Sequence, residues 1–87
     1  MKILEIKNVT RKDVPIYYRR LYSGVAVIEL INNQQEYPVD VSIEHKPTGE
    51  KEILVTFTNP PDYPLVPLVK EIKKFIDIMD LKGGFPV

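Results

Sequence analysis

An alternating segment between Tyr37 and Phe57 constrains the fold of this chain more than any other feature. Apolar side chains occupy every second position on both sides of a Pro-Thr-Gly sequence: Tyr37, Val39, Val41, Ile43, Ile53, Val55 and Phe57. A period of two is typical of a strand with one buried face and one wet face. The segment therefore predicts a β-hairpin, in which Leu54 is the exception to the alternation.

The sequence Pro47-Thr48-Gly49 predicts the register of that hairpin. Proline presets the first position of a turn, and glycine takes the left-handed position at the end of a three-residue loop. Lys46 then faces Glu50, and the apolar rows oppose each other as Ile43–Ile53, Val41–Val55 and Val39–Phe57. A slip of one residue would break this match.

The segments before the hairpin complete the predicted sheet. GVAVIELI, residues 24–31, is apolar at nearly every position, which is typical of a central strand. The sequence NNQQ then links it to the Tyr37 strand, in either of two registers. KILEIK, residues 2–7, predicts an N-terminal strand, and NVTRKD, residues 8–13, predicts a loop.

The tyrosine- and arginine-rich stretch PIYYRRLYSG, residues 15–24, has two interpretations. Residues 14–22 form either a regular strand or an irregular crossing at the edge of the sheet. The even positions are the more apolar, so we expect Tyr18 to pack inward and Tyr17 and Arg19 to face water. Ser23 and Gly24 can turn the chain into the central strand.

The C-terminal part of the chain changes to a helical period. Val69, Ile72, Ile76 and Met79 follow one another at spacings of three, four and three, which predicts an amphipathic helix of about 14 to 16 residues. Pro67 suits its first turn, with Val66 outside the helix, and Gly83-Gly84 suits its end. The elements predict one α+β domain over residues 1–87, an antiparallel sheet of four to five strands with one C-terminal helix packed on one face. Sequential hairpins are its simplest topology.

Charge and composition narrow the class of protein. The chain has no cysteine, and no apolar run approaches the roughly 18 residues of a membrane span, so we expect a soluble, cytoplasmic protein without a membrane partner. The net charge is zero, but residues 1–24 carry six basic and two acidic side chains, whereas residues 25–62 carry two basic and seven acidic ones. Either basic and acidic strands lie side by side and compensate, or the surface has one basic end and one acidic end.

No arrangement of residues indicates catalysis or a bound metal or cofactor. His45 lies at the turn end of the hairpin and is interpreted as a rim residue, since no metal-ligand spacing surrounds it. Glu44 and Glu52 oppose each other, but beside Lys46 and Lys51 they are better explained as a solvated charged face. We therefore expect that the protein is not an enzyme and takes no cofactor.

The segment NPPDYPLVP, residues 59–67, combines four prolines with a Tyr-Pro pair. A hairpin followed by such a segment resembles the region after the sheet in ubiquitin-conjugating folds and their non-catalytic relatives. The resemblance covers nine residues, and the chain has neither the N-terminal helix expected of that fold nor its catalytic cysteine. The prolines also have a mechanical explanation, because they stiffen the crossover and remove hydrogen-bond donors that another strand could use.

The candidate binding residues are Tyr17, Arg19 and Arg20. Tyrosine and arginine are enriched at the energetic centres of protein interfaces, and together they can also stack on bases and hold phosphates. We expect a small protein-interaction or assembly module whose partner is another protein or a second copy of itself, bound through this patch, a sheet edge or both. The alternative is an accessory protein that binds nucleic acid weakly through the same patch.

Overall fold

The fold, known from a computed structural model, is an antiparallel sheet with one helix across it. The structure describes residues 1–13 and 18–86. The elements in chain order are β1 (Lys2–Lys12), β2 (Arg19–Leu30), β3 (Asn33–His45), β4 (Lys51–Phe57) and α1 (Leu65–Leu81). The four strands are neighbours in that same order, so the predicted α+β class and the sequential hairpin topology are confirmed.

The β3–β4 hairpin has the predicted register. Ile43 opposes Ile53 and Val39 opposes Phe57. Gly49 takes a φ of 90°, the left-handed region that favours glycine, and its N–H donates to the Lys46 carbonyl over 2.9 Å. The alternation and the turn chemistry were therefore sufficient to place this half of the sheet.

The core lies between the helix and the inner face of the sheet. Leu68, Ile72 and Ile76 of α1 are fully buried against it, as the helical period predicted. The buried inner-face residues of the strands are Ile6, Tyr22, Ala26, Ile28, Val39, Val41, Ile43, Ile53 and Phe57. Phe85, beyond the helix, stacks on Tyr22 with 4.8 Å between ring centroids, so the C-terminal segment closes one end of the core.

The helix begins at Leu65, two residues before the expected Pro67, and includes Val66. This start is possible because Pro67 still lies in the first turn, where its missing N–H would have had no partner within the helix. The end agrees with the prediction. Gly83 has a φ of 72°, and the N–H groups of Gly83 and Gly84 donate to the carbonyls of Asp80 and Met79, which is the Schellman arrangement.

The N-terminal half of the sheet differs from the prediction at three places. Residues 8–12 of the expected NVTRKD loop continue β1, because Asn8 adopts a φ of 55° and the strand shifts register there without ending. Ser23 and Gly24 lie inside β2 and make no turn. The link to β3 is only Ile31 and Asn32, with Asn32 at a φ of 68°, so most of NNQQ belongs to β3.

Gly24 has a packing role in place of the expected turn. A Cβ at this position would lie 3.2 Å from the Ile6 side chain and 3.3 Å from the Lys7 carbonyl oxygen. Glycine therefore lets β1 approach β2 closely.

The stretch rich in tyrosine and arginine enters β2 at Arg19. Tyr18, which was expected to pack inward, is 51% exposed, whereas Tyr22 is buried. Tyr22 has a partner for its hydroxyl, which donates to the Pro86 carbonyl over 3.1 Å. The prediction of a strand over 14–22 is therefore met at residues 19–22, and residues 14–17 lie outside the described part of the chain.

Candidate interaction surface

Arg19 and Arg20 lie on opposite faces of the sheet, because successive strand residues alternate. Arg19 is on the open face, where one of its guanidinium nitrogens lies 3.4 Å from a Glu44 carboxylate oxygen. Arg20 is on the helix side and binds both carboxylate oxygens of Asp80, at 2.9 and 3.0 Å. Tyr17, the third expected binding residue, lies outside the described residues.

Asp80 is the centre of a partly buried charge cluster that joins the helix to the sheet. It accepts hydrogen bonds from Arg20 and, over 3.2 Å, from Lys51 of β4, which also contacts Asp77. The hydrogen bonds from Arg20 hold the pKa of the Asp80 carboxyl below its ordinary value. The bonds to Asp77 and Asp80 raise the pKa of Lys51. Lys51 was expected on the wet face with Glu52, but alternation places it on the helix side.

His45 is an exposed neighbour of this cluster. Its Nε2 atom lies 3.1 Å from an Arg20 nitrogen, at the end of β3. Among residues 1–13 and 18–86, no group of three or more His, Cys, Asp or Glu side chains is placed to hold a metal ion.

The open face of the sheet carries ion pairs between neighbouring basic and acidic strands. Lys7 of β1 binds Glu36 of β3 across β2 at 2.9 Å, next to Val27, which is buried although it lies on this face. The other pairs on this face are Lys12–Asp40, Arg19–Glu44 and Lys46–Glu52. The expected compensation between basic and acidic strands is therefore confirmed, and the charged groups of this face largely satisfy one another.

The outer edge of β4 is a regular row of backbone groups. Its bonds to β3 connect Lys46 with Glu50 and Pro38 with Thr58. In an antiparallel ladder such bonds recur at every second residue, so Glu52, Leu54 and Thr56 also turn their backbone groups toward β3. The residues between them point away from the sheet and have no backbone partner in the described part of the chain: Lys51, Ile53, Val55 and Phe57.

A groove separates this edge from the helix. Its lining includes Lys51 and Ile53 on the strand side and Lys73 and Asp77 on the helix side, around a volume of about 490 Å³. A second groove on the helix shares Lys73 and is lined otherwise by Lys70 and by three apolar residues, Leu65, Val66 and Val69. Sequence reasoning expected a binding edge without identifying it, and exposed Leu54, the exception to the alternation, was the available signal.

These features define a small α+β protein with a four-stranded meander, one covering helix and one uninterrupted sheet edge. The chain belongs to the BB_0187 family, whose model matches residues 1–81. No curated protein and no solved structure matches it. No helix in the described part of the chain combines the length and the apolar character needed to cross a membrane.

Proposed function

We propose that this protein is a non-enzymatic, cytoplasmic module for protein interaction or assembly, and that it binds through the outer edge of β4. The row of outward-facing backbone groups at Lys51, Ile53, Val55 and Phe57 carries the proposal. An unpaired strand edge offers N–H donors and C=O acceptors to an extended segment of another protein, which adds to the sheet as a further strand.

The charge arrangement favours a protein partner over nucleic acid. Phosphate binding requires accumulated positive charge. Arg19 and Arg20, the cations of the alternative hypothesis, each contact a carboxylate. Backbone pairing at an edge needs no net charge, which suits a chain whose net charge is zero.

Tyr17, Arg19 and Arg20 remain a second candidate surface for the same function. Arg20 holds the helix to the sheet, so its replacement would change stability together with binding. Arg19 is the cleaner test, since it lies on the open face and meets only Glu44. Under our proposal, Arg19→Glu leaves partner binding unchanged, and loss of binding in a folded Arg19→Glu variant would move the site to this patch.

Site-specific photo-crosslinking in producing cells tests the proposed edge. A photoreactive amino acid replaces Thr56, an exposed residue of β4, and in a matched control it replaces Thr10, an exposed residue of β1. We expect discrete protein adducts from position 56 and none from position 10. Val55→Pro should abolish the adducts because it removes an outward N–H, whereas Val55→Ala, which keeps that N–H, should retain them.

Three results would contradict the proposal. The first is adducts from position 10 alone, and the second is adducts at position 56 that persist in a folded Val55→Pro variant. The third is adducts that disappear on nuclease treatment, which would favour the nucleic-acid alternative.

A further inference from the structure

We infer that the occupant of the β4 edge is the β4 edge of a second copy of this chain. The two strands pair antiparallel about a two-fold axis at Leu54 and join two sheets into one of eight strands. This inference rests on the proposed function and names the partner of the same site.

The sequence of β4 is self-complementary about Leu54. A two-fold axis at this residue pairs Ile53 with Val55, Glu52 with Thr56 and Lys51 with Phe57, so no two like charges oppose each other. Like charges directly opposite would destabilise the pair. All seven residues of the strand then have a partner.

Other registers satisfy fewer of these conditions. An axis at Val55 places Lys51 opposite Asn59, beyond the end of the strand, and Leu54 opposite Thr56. An axis at Ile53 sets Leu54 against Glu52. Axes between residues would oppose inner-face side chains to open-face ones, which alternation of the two faces forbids.

Leu54 itself gives the pairing an apolar centre. Its side chain is 47% exposed on a face that is otherwise covered by polar and charged groups. Its own backbone groups point to β3, so across the two-fold axis Leu54 and its copy form a non-hydrogen-bonded pair. Such pairs bring side chains closest together, with Cα atoms about 4.5 Å apart. Each leucine then covers the other.

The helix supports the same arrangement. A two-fold axis perpendicular to the sheet does not exchange its faces, so both helices lie on one side of the joined sheet. Val66, which is 81% exposed, and Leu65 line the helix groove that continues from the β4 groove through Lys73. These apolar residues therefore lie on the side of the helix that borders the new interface.

The pairing should be weak and concentration-dependent. A seven-residue edge provides less contact than the roughly 1,200–2,000 Å² that stable interfaces bury. Sedimentation velocity over a series from low micromolar to submillimolar protein should show the mass rise from monomer toward dimer. Val55→Ala should follow the same curve, and Val55→Pro should stay monomeric.

Cysteine crosslinking tests the register, because the chain has no cysteine of its own. Leu54→Cys places two thiols opposite each other in a non-hydrogen-bonded pair, within reach of a disulfide. Thr56→Cys, on the same strand and face, places them four positions apart along the strand. We expect a covalent dimer from Leu54→Cys under mild oxidation, at least tenfold more than from Thr56→Cys.

Each other outcome overturns the inference. Equal crosslinking of the two variants would indicate random collision or another register, and a monomer at every concentration would exclude self-pairing. The proposed function fails separately, because it depends on adducts at position 56 in cells. If those adducts join the chain to a different protein and sedimentation shows only monomer, the edge binds a partner and that partner is not a second copy.

Discussion

Strands β1 and β4 each have one neighbour and one free edge, and they differ in what they present there. The β1 ladder shifts register twice, between Ile3 and Glu5 and between Lys7 and Thr10, with Asn8 in a left-handed conformation. The β4 ladder runs from Lys51 to Phe57 without a shift. Charged residues are spread along β1, whereas β4 has only Lys51 and Glu52, both at one end.

This difference bears directly on which edge can accept a strand. Bulges and charges are the devices by which proteins keep sheet edges from pairing with other chains, because an interrupted row cannot match a regular one. β1 has both devices. β4 lacks the bulges and concentrates its charges in Lys51 and Glu52, of which Lys51 is bound to the helix. An edge of this kind remains a template for pairing.

The largest effect should come from the helix that packs on both edge strands. Ile76→Ala should lower the free energy of unfolding by about 2–4 kcal/mol, because Ile76 is fully buried and its loss leaves a cavity. Urea denaturation measures this loss. Ile78→Ala is the matched control, since Ile78 is 54% exposed, and it should change the midpoint little. Equal midpoints for both variants would mean that the helix does not hold the sheet.

A smaller effect should distinguish the two edges. Asp80→Asn should cost about 2 kcal/mol, because it removes the charged acceptor for Arg20 and Lys51. Lys51 belongs to β4, so amide exchange should quicken in β4 more than in β1. Asp77→Asn, which affects only Lys51, should cost less. Equal loosening of both edges would show that the cluster does not anchor β4 in particular.

The same variant predicts a pH dependence. The pKa of Asp80 is lower in the folded chain than its ordinary value of 3.8, so the folded state binds this proton less readily than the unfolded one. The stabilisation by Asp80 is therefore complete above about pH 4 and is lost as the pH falls further. Urea denaturation of the parent and of Asp80→Asn should give midpoints that converge in acid. A gap that stays constant below pH 3.8 would contradict this origin of the stability.

The turn that leads into β4 should have an effect of about 1–2 kcal/mol. Gly49→Val places a β-branched residue at a φ of 90°, which L-residues resist. Thermal melts measure the loss. Thr48→Val is the control, because it adds a β-branched residue at the neighbouring position without a positive φ. If both variants melt alike, the loop conformation is wrong.

The smallest effect on stability should come from the edge itself. Leu54→Lys changes an exposed side chain and should shift the free energy of unfolding by less than about 0.5 kcal/mol. It should nevertheless weaken self-association, because it sets two lysines opposite each other. Sedimentation and urea denaturation on one preparation separate the two effects. Undiminished association in a folded variant would exclude Leu54 as the centre.

The sequence was sufficient where local rules decide the structure. Alternation and the Pro47-Thr48-Gly49 turn predicted the β3–β4 register, and the spacing of Leu68, Ile72 and Ile76 predicted the buried side of the helix. These features depend on near neighbours in the chain. The class of fold followed from them.

The remaining features depend on contacts between distant residues. Asn8 looks like part of a loop, and it stays in β1 only because the strand shifts register against β2. Arg20 looked like a binding residue because its partner, Asp80, lies 60 positions further along the chain. Which edge remains free is likewise a property of the sheet order, to which no local pattern points.

Residue-resolved amide exchange at two protein concentrations tests the central claim, that β4 is the binding edge, most directly. In dilute protein the amides of Leu54 and Thr56, which face β3, should be protected, and those of Ile53 and Val55 should exchange freely. In concentrated protein Ile53 and Val55 should become protected, and the amides of β1 should not change. Protection of Ile53 and Val55 already in dilute protein, or a concentration-dependent change in β1 alone, would contradict the account.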